Sequence, residues 1–304
     1  RVLRLLLFLS ASTFLIPTSG QTFTVHVLGT AQDAGRPQVG CHKPCCVEPD
    51  GRPKPHEPVV CLGITQDSGK GAWMVEATPD FTAQWNQLTA LNQGNAPTHI
   101  AITHAHIGHY TGLMYTGREA MNTHLVEVFG SPRFIGFLKE SQPWKQLVDL
   151  QNIWPQELVP GDHLKLENGR ISALSVPHRD EISDTYGYVI SGPSKTLLFI
   201  PDIDKWAHWE HDLDSLLDHV DYALLDATFF SDRELPGRSM SEIPHPFVLE
   251  TMKLARSWPE EKRSKIHFIH FNHSNPLLDP SSRVTRKVEQ AGFHLCRTGQ
   301  SFAL

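Results

Sequence analysis

No segment of this 304-residue sequence stays apolar for the ~20 residues that a bilayer-spanning helix requires, which argues against a membrane-embedded protein. Runs of lysine or arginine are also missing, and the formal net charge is −6. Nucleic acid and anionic membrane surfaces therefore draw no electrostatic support, and a small-molecule substrate is the expected partner. Cysteine is scarce and odd in number, at Cys41, Cys45, Cys46, Cys61 and Cys296, so the chain cannot be a fully paired disulfide scaffold. There is no internal repeat and no linker-like stretch. One α/β domain over residues 22–304 accounts for the remainder.

What is present is ordinary globular composition, 40% hydrophobic and 20% charged, with one excess: eighteen histidines. Arg1 and Arg4 precede an apolar stretch from Leu5 to Ile16, then Pro17-Thr18-Ser19-Gly20. A basic start, a short apolar middle and small residues before a break describe a secretory signal peptide over residues 1–20. The expected destination is periplasmic or secreted, an oxidising compartment in which disulfides are permitted.

Alternation of Phe23, Val25 and Val27 with polar residues predicts a first strand, followed from Gly29 to Pro58 by a Gly-, Pro- and Cys-rich loop without helical period. A loop of that length in a compact domain is functional or pinned. Val59–Thr65 and Trp73–Ala77 read as strands. Thr78-Pro79-Asp80 reads as a helix start with Thr78 as N-cap, continued by Phe81, Trp85, Leu88 and Leu91 at helical spacing. His99–Thr103 is the next strand. Further on, strands are predicted at Tyr186–Ile190, Thr196–Ile200, Tyr222–Asp226 and Ile266–His270. Helices are predicted at Pro132–Glu140, Trp206–Val220, Pro246–Ser257 and Arg283–Ala291.

The sharpest local signal is Thr103-His104-Ala105-His106-Ile107-Gly108-His109. His104 and His106 share a face at strand periodicity, and His109 follows about one turn later. Imidazoles so placed just past a strand end close readily on one metal ion. A separate thiolate group, Cys41, Cys45 and Cys46, has close spacing suited to a tetrahedral ion but supplies three of four corners. His42 is one candidate for the fourth, and a disulfide from Cys61 to one of the three is the competing arrangement.

The histidine segment resembles the HxHxDH motif of the metallo-β-lactamase superfamily, with Gly108 where that motif has Asp. The resemblance implies a four-layer αββα sandwich with the metal at one end between two sheets. Ser175-Val176-Pro177-His178, Phe199-Ile200-Pro201-Asp202 and Phe268-Ile269-His270 resemble the superfamily's remaining ligand segments in the expected order. By this resemblance His104, His106, His178 and Asp202 form a first metal site. His109, His270 and Asp202 are left as a depleted second one, because Gly108 supplies no ligand.

Longer stretches resemble the coenzyme PQQ synthesis protein B family. They are Val27-Leu28-Gly29-Thr30, Glu76-Ala77-Thr78-Pro79-Asp80, His109-Tyr110-Thr111-Gly112-Leu113, Asp226-Ala227-Thr228 and the run from His270 to Pro276. The paired His104 and His106 are closer to hydrolytic members of the superfamily. Similarity to its phosphodiesterases implies that His273 joins Cys41, Cys45 and Cys46 around a structural zinc, and that His245 is a general acid. Asp226 would orient His245 or a ligand, and Asp33 faces substrate or shapes a turn.

The expected activity is metal-dependent hydrolysis of a phosphodiester or other small ester-like substrate. One or two zinc ions would serve it, with iron or manganese as alternatives. An iron-dependent oxidoreductase and a binding protein with a vestigial site are the competing readings.

Overall fold

The structure, a computed structural model, describes residues 23–304 apart from 67, 236 and 238; the segment read as a signal peptide lies outside the described residues. The chain runs through β1 (Phe23–Gly29), β2 (Cys61–Gln66), β3 (Trp73–Val75), β4 (His99–Ala101), β5 (Val126–Gly130) and β6 (Ile153–Glu157). It then forms β7 (His163–Lys165), β8 (Arg170–Ser175), β9 (Tyr186–Ser191), β10 (Thr196–Ile200), β11 (Tyr222–Asp226), β12 (Ile266–Ile269), β13 (His294–Leu295) and β14 (Ser301–Ala303). These make two seven-stranded sheets, ordered β14-β1-β2-β3-β4-β5-β6 and β13-β12-β11-β10-β9-β8-β7.

Period-two alternation sorts the side chains into layers. Trp73, Val75, Leu197 and Phe199 meet in the core between the sheets. Met74 and Ile100 face outward under helices α1 (Phe81–Leu91), α2 (Ile107–Tyr110), α3 (Pro132–Glu140) and α4 (Trp144–Asp149), through Phe81, Trp85, Phe134 and Leu147 among others. On the far side Leu198, Ile200 and Phe268 lie under α5 (Leu213–Leu217), α6 (Val248–Leu254) and α8 (Arg283–Gln290), with α7 (Glu260–Arg263) between the last two in sequence. The expected four-layer αββα sandwich is the fold.

Strand direction decides where the chemistry collects. β3 through β6 run parallel, as do β10 through β13. β1 shares the direction of β3 through antiparallel β2, and β8 shares that of β10 through antiparallel β9. Asp33, Glu76, the His104–His109 segment, His178, Asp202, Asp226 and His270 all lie at or beyond carboxyl ends of these strands, where open α/β sheets bind ligands. The buried Tyr188 hydroxyl donates to Ile102 O at 2.5 Å and Tyr186 N to Thr103 O at 3.0 Å, stitching the second sheet to the histidine segment of the first.

Several boundaries differ from the sequence reading. The first helix begins at Phe81 and not at Pro79. Thr78 Oγ1 accepts from Asp80 N, closing a turn, while the Asp80 carboxylate is drawn off to Val59 N at 2.8 Å. The helix expected over Trp206–Val220 is broken: a short 3-10 turn, Trp206–His208, stops where the Trp209 indole donates to Ser175 O, and Asp212 caps a new start at Leu213. The Pro246–Ser257 helix begins at Val248 and tightens into a 3-10 turn after Leu254. α4, β6 and β14 were not anticipated.

Candidate functional site

His104, His106 and His178 converge, as do His104, His109 and Asp202; within each group the ligand atoms lie within 4.8 Å of one another. Asp202, 3% exposed, is the hub. Its Oδ2 is 2.9 Å from His109 Nε2, 3.3 Å from His270 Nε2 and 3.8 Å from His104 Nε2, and its Oδ1 is 3.7 Å from His178 Nε2. Two donors bound to one ion at about 2.1 Å can be no more than about 4.2 Å apart, so these spacings suit ligation.

A hydrogen bond on the other ring nitrogen sets which one faces the centre. Thr103 Oγ1 donates to Glu76 Oε1 and so accepts from His104 Nδ1 at 2.9 Å. Glu76 also accepts from His109 Nδ1 at 3.1 Å, and Asp204 accepts from His178 Nδ1 at 3.2 Å. Thr228 Oγ1 donates to Asp226 and accepts from His270 Nδ1 at 2.9 Å. His106 is turned the other way, its Nε2 donating to Glu181 and its Nδ1 facing His104 Nε2 at 2.8 Å. In these tautomers two imidazole lone pairs point at each other, an arrangement that only a proton or a cation between them relieves.

The fit to a metal can be tested by asking which buried polar atoms go unsatisfied. His109 Nε2, His178 Nε2, Asp202 Oδ2 and His270 Nε2 are all buried without a hydrogen-bond partner. Native interiors leave few such atoms, and each costs about 1–3 kcal/mol. Four of them converging on one small volume fit a cation.

The electrostatics agree. Burial pushes the His104 imidazolium well below its ordinary range, with His109 adding to the effect. Burial also opposes charge on His109, but Glu76, Asp202 and Asp33 outweigh it and hold that pKa well above the usual value. For His270, burial is likewise outweighed, chiefly by Asp202 and then Asp226 and Asp33, and its pKa rises to about 10. The pocket carries buried negative charge that calls for positive charge.

His245 stands beside this centre. Its Nδ1 donates to Asp226 Oδ2 at 2.8 Å and lies 3.4 Å from Asp202 Oδ1. Against burial, Asp226 raises its pKa above the ordinary histidine value. Asp226 is fully buried and also accepts from Ile203 N, Thr228 N and Thr228 Oγ1. An open cleft of about 310 Å³ is lined by His245, Asp33, Gln38, Arg179, Asn272 and His273, among others. That is the small end of the range for small-molecule sites.

Cys41, Cys45, Cys46 and His273 form a third group. The Sγ atoms of Cys41 and Cys45 are 3.7 Å apart, close to the ~3.8 Å edge of a tetrahedron with 2.3 Å metal–sulfur bonds. The competing disulfide does not form: Cys61 is buried at the start of β2, its thiol directed at Leu62 O and Glu76 O, and all five cysteines are free. His42 is exposed and is not in the group.

All the sequence-derived ligands are thus brought together, and His245 and Asp226 with them. The second group also has a carboxylate that the motif does not predict. Asp33 joins His109 and His270, its Oδ1 3.4 and 3.9 Å from their Nε2 atoms. Sequence reasoning also missed Glu76, Thr103, Asp204, Glu181 and Thr228. Glu76 carried a signal: a carboxylate directly after the wholly buried strand Trp73–Val75 needs a partner.

The family described as Beta-lactamase superfamily domain matches residues 73–271. Coenzyme PQQ synthesis protein B of Methylobacterium sp. (strain 4-46) is 25% identical, the alignment covering 91% of this chain and 99% of that protein. That of Gluconobacter oxydans (strain 621H) is 24% identical over 92% and 98%. Among solved structures, Zn(2+)-bound PqqB from Methylobacterium extorquens superposes with a TM-score of 0.73 at 18% identity, covering 92% of this chain and 100% of that one. A diphosphatase from the PhnP family gives 0.63 at 19% identity, covering 93% and 97%. At these identities the structural likeness shows the fold.

Proposed function

The chain belongs to the β-lactamase superfamily, and from that premise we propose that it is a metal-dependent hydrolase of a phosphodiester or another small ester-like substrate. The observation that carries the reading is the convergence of four buried, unpartnered atoms of His109, His178, Asp202 and His270 beside a histidine held by a buried carboxylate. His104, His106, His178 and Asp202 would hold one ion. A bound divalent ion supplies Lewis-acid polarisation and brings the pKa of a water towards neutrality. Zinc suits the donor set, and the zinc-bound PqqB structure supports it; manganese and iron are compatible with imidazole and carboxylate.

The chain's own residues do the rest. Asp226 holds His245 with Nδ1 protonated, leaving the other ring nitrogen to give a proton to a departing oxygen. Arg179, exposed on the cleft lining directly after His178, offers a guanidinium to an anionic substrate. Asn272 and Gln38 line the same cleft with neutral donors and acceptors. Residues 1–20 carry the basic, apolar and small-residue order of an export signal, which supports a periplasmic or secreted location.

A second reading, an oxygen-dependent metal oxidoreductase, is favoured by the near full-length match to proteins named for coenzyme PQQ synthesis. One experiment separates the two. Protein purified without chelator is assayed on chromogenic phosphodiesters and carboxylic esters, with and without oxygen, and its metal is quantified. Hydrolysis is expected in both atmospheres, lost on chelation, restored by zinc or manganese, and absent from His104→Ala. Stoichiometric iron with turnover only under oxygen would reject the hydrolase.

A further inference from the structure

We propose that Asp33, from the loop after β1, replaces the missing motif carboxylate at position 108 and completes a second metal site with His109, His270 and Asp202. The inference rests on the metal-centre reading above but not on hydrolysis.

The steric evidence is reciprocal. A Cβ on Gly108 would lie 2.5 Å from Asp33 Cα and 2.5 Å from Asp33 Oδ1. A side chain at position 108 and the carboxylate of Asp33 therefore compete for one space. Gly108 sits in α2 without a left-handed backbone, so room for Asp33 is the reason for glycine here, not conformational freedom. The vacancy in the motif is filled from another part of the chain.

Asp33 is also held where an aspartate is not comfortable. Its φ is +22°, in the region that favours glycine. The turn is fixed on both sides: Gln32 N donates to Phe271 O, and Gly35 N donates to Gln32 O. Ala31 bridges both Val59 and Phe271, the residue after His270. The Asp33 carboxylate is thereby delivered to His109 Nε2 at 3.4 Å and His270 Nε2 at 3.9 Å. Those two atoms are fully buried and lack hydrogen-bond partners. Asp202 Oδ2 lies 2.9 and 3.3 Å from the same two nitrogens, so two carboxylates face one pair of imidazoles. The Asp33 side chain remains 42% exposed and lines the cleft.

The test counts ions and needs no substrate. Wild-type protein and the Asp33→Ala and Asp33→Asn variants are equilibrated with zinc, desalted and analysed for metal per chain. A parallel cobalt series reports the cysteine site separately through its thiolate charge-transfer band. Wild type is expected to hold two ions outside the cysteine site, and both variants one, with the second binding event weakened about 100-fold or more in calorimetric titration. Gly108→Ala, which drives a methyl group into Asp33, is expected to give the same loss. If that variant does not fold, the Asp33 variants still decide. An unchanged second binding event in Asp33→Ala overturns the assignment, as does a wild type that never takes more than one ion at this centre. Loss of the second ion with no esterase activity in any form would sink the hydrolase and leave this inference standing.

Discussion

Replacing Asp226 by asparagine changes one atom and removes the charge that orients His245. Asp226 Oδ1 accepts from Thr228 N at 2.9 Å and Thr228 Oγ1 at 2.7 Å; Oδ2 accepts from His245 Nδ1 at 2.8 Å and Ile203 N at 3.1 Å. An amide nitrogen accepts nothing, so on either side it confronts two donors. The less costly placement is on the Oδ2 side. There His245 can shed its Nδ1 proton and accept from the amide, leaving Ile203 N alone unsatisfied. With the buried charge also gone, the loss of stability is expected at about 3 kcal/mol, the lower end for two charge-assisted bonds. For a domain above about 150 residues that is roughly 2–4 °C of Tm per kcal/mol.

The functional effect is separable from the structural one. Asp226 raises the His245 pKa, so Asp226→Asn lowers it, and the pH limb that requires protonated His245 moves to lower pH. The rate at neutral pH is expected to fall about 10²–10³-fold for substrates with an alkoxide leaving group, within the range for general-acid catalysis. Nitrophenyl substrates, whose leaving group needs little protonation, are expected to lose far less. Metal content should be unchanged. Equal losses for both leaving groups, with metal content intact, would refute the assignment of His245 as the acid oriented by Asp226.

Two further outcomes can be measured independently. Burial, with the neighbouring His294, pushes the His267 pKa down to about 3, and its Nδ1 has no partner. Between pH 6.5 and 3 the unfolded chain binds the proton that the folded one refuses, so stability is lost on acidification. The His267 contribution is about 2 kcal/mol between pH 7 and pH 5. His267→Phe is expected to shrink the difference between urea unfolding free energies at those two pH values by about that amount, and an unaltered difference would refute it. In the cysteine group, Cys46→Ser is expected to release one tightly held zinc, expose the loop over residues 30–60 to protease, and raise KM more than it lowers kcat. The reason is that Gln38, whose N donates to Cys46 Sγ, and His273 both line the cleft. Alkylation of Cys41 and Cys45 in the native protein at the rate of the unfolded chain would rule out a bound metal there.

The candidate ligands Asp202 and His270 were legible because each ends an apolar run. In Phe199-Ile200-Pro201-Asp202 and Phe268-Ile269-His270 the change from buried hydrophobics to one polar side chain marks where a strand leaves the sheet. Parallel strands then deliver those ends to one rim, so order along the chain became proximity in space. The groups that hold the imidazoles were not legible in this way. Thr103 and Thr228 matter because their hydroxyls donate to one carboxylate and accept from one ring, and no spacing rule encodes that. Asp33 was ambiguous for a related reason: its role depends on the absence of a side chain at Gly108, which is distant in sequence and adjacent in space. Helix boundaries failed where a side chain had a competing partner, as with Asp80 and Trp209.

Backbone strain ties these observations together. Seven non-glycine residues have positive φ among the described residues. Gln93, Asn122, Leu125 and Gln151 are exposed, where turns tolerate such geometry. Glu76 (φ +83°) and His270 (φ +65°) are fully buried, and with Asp33 they belong to the candidate site, Glu76 through its contact with His109 Nδ1. Each costs about 1–3 kcal/mol relative to a relaxed conformation, and glycine would remove the penalty. Three strained positions together amount to several kcal/mol. An ion present at a thousand times its dissociation constant stabilises the folded chain by about 4 kcal/mol. The two magnitudes are comparable, so a bound cation can offset the distortion that places its own ligands.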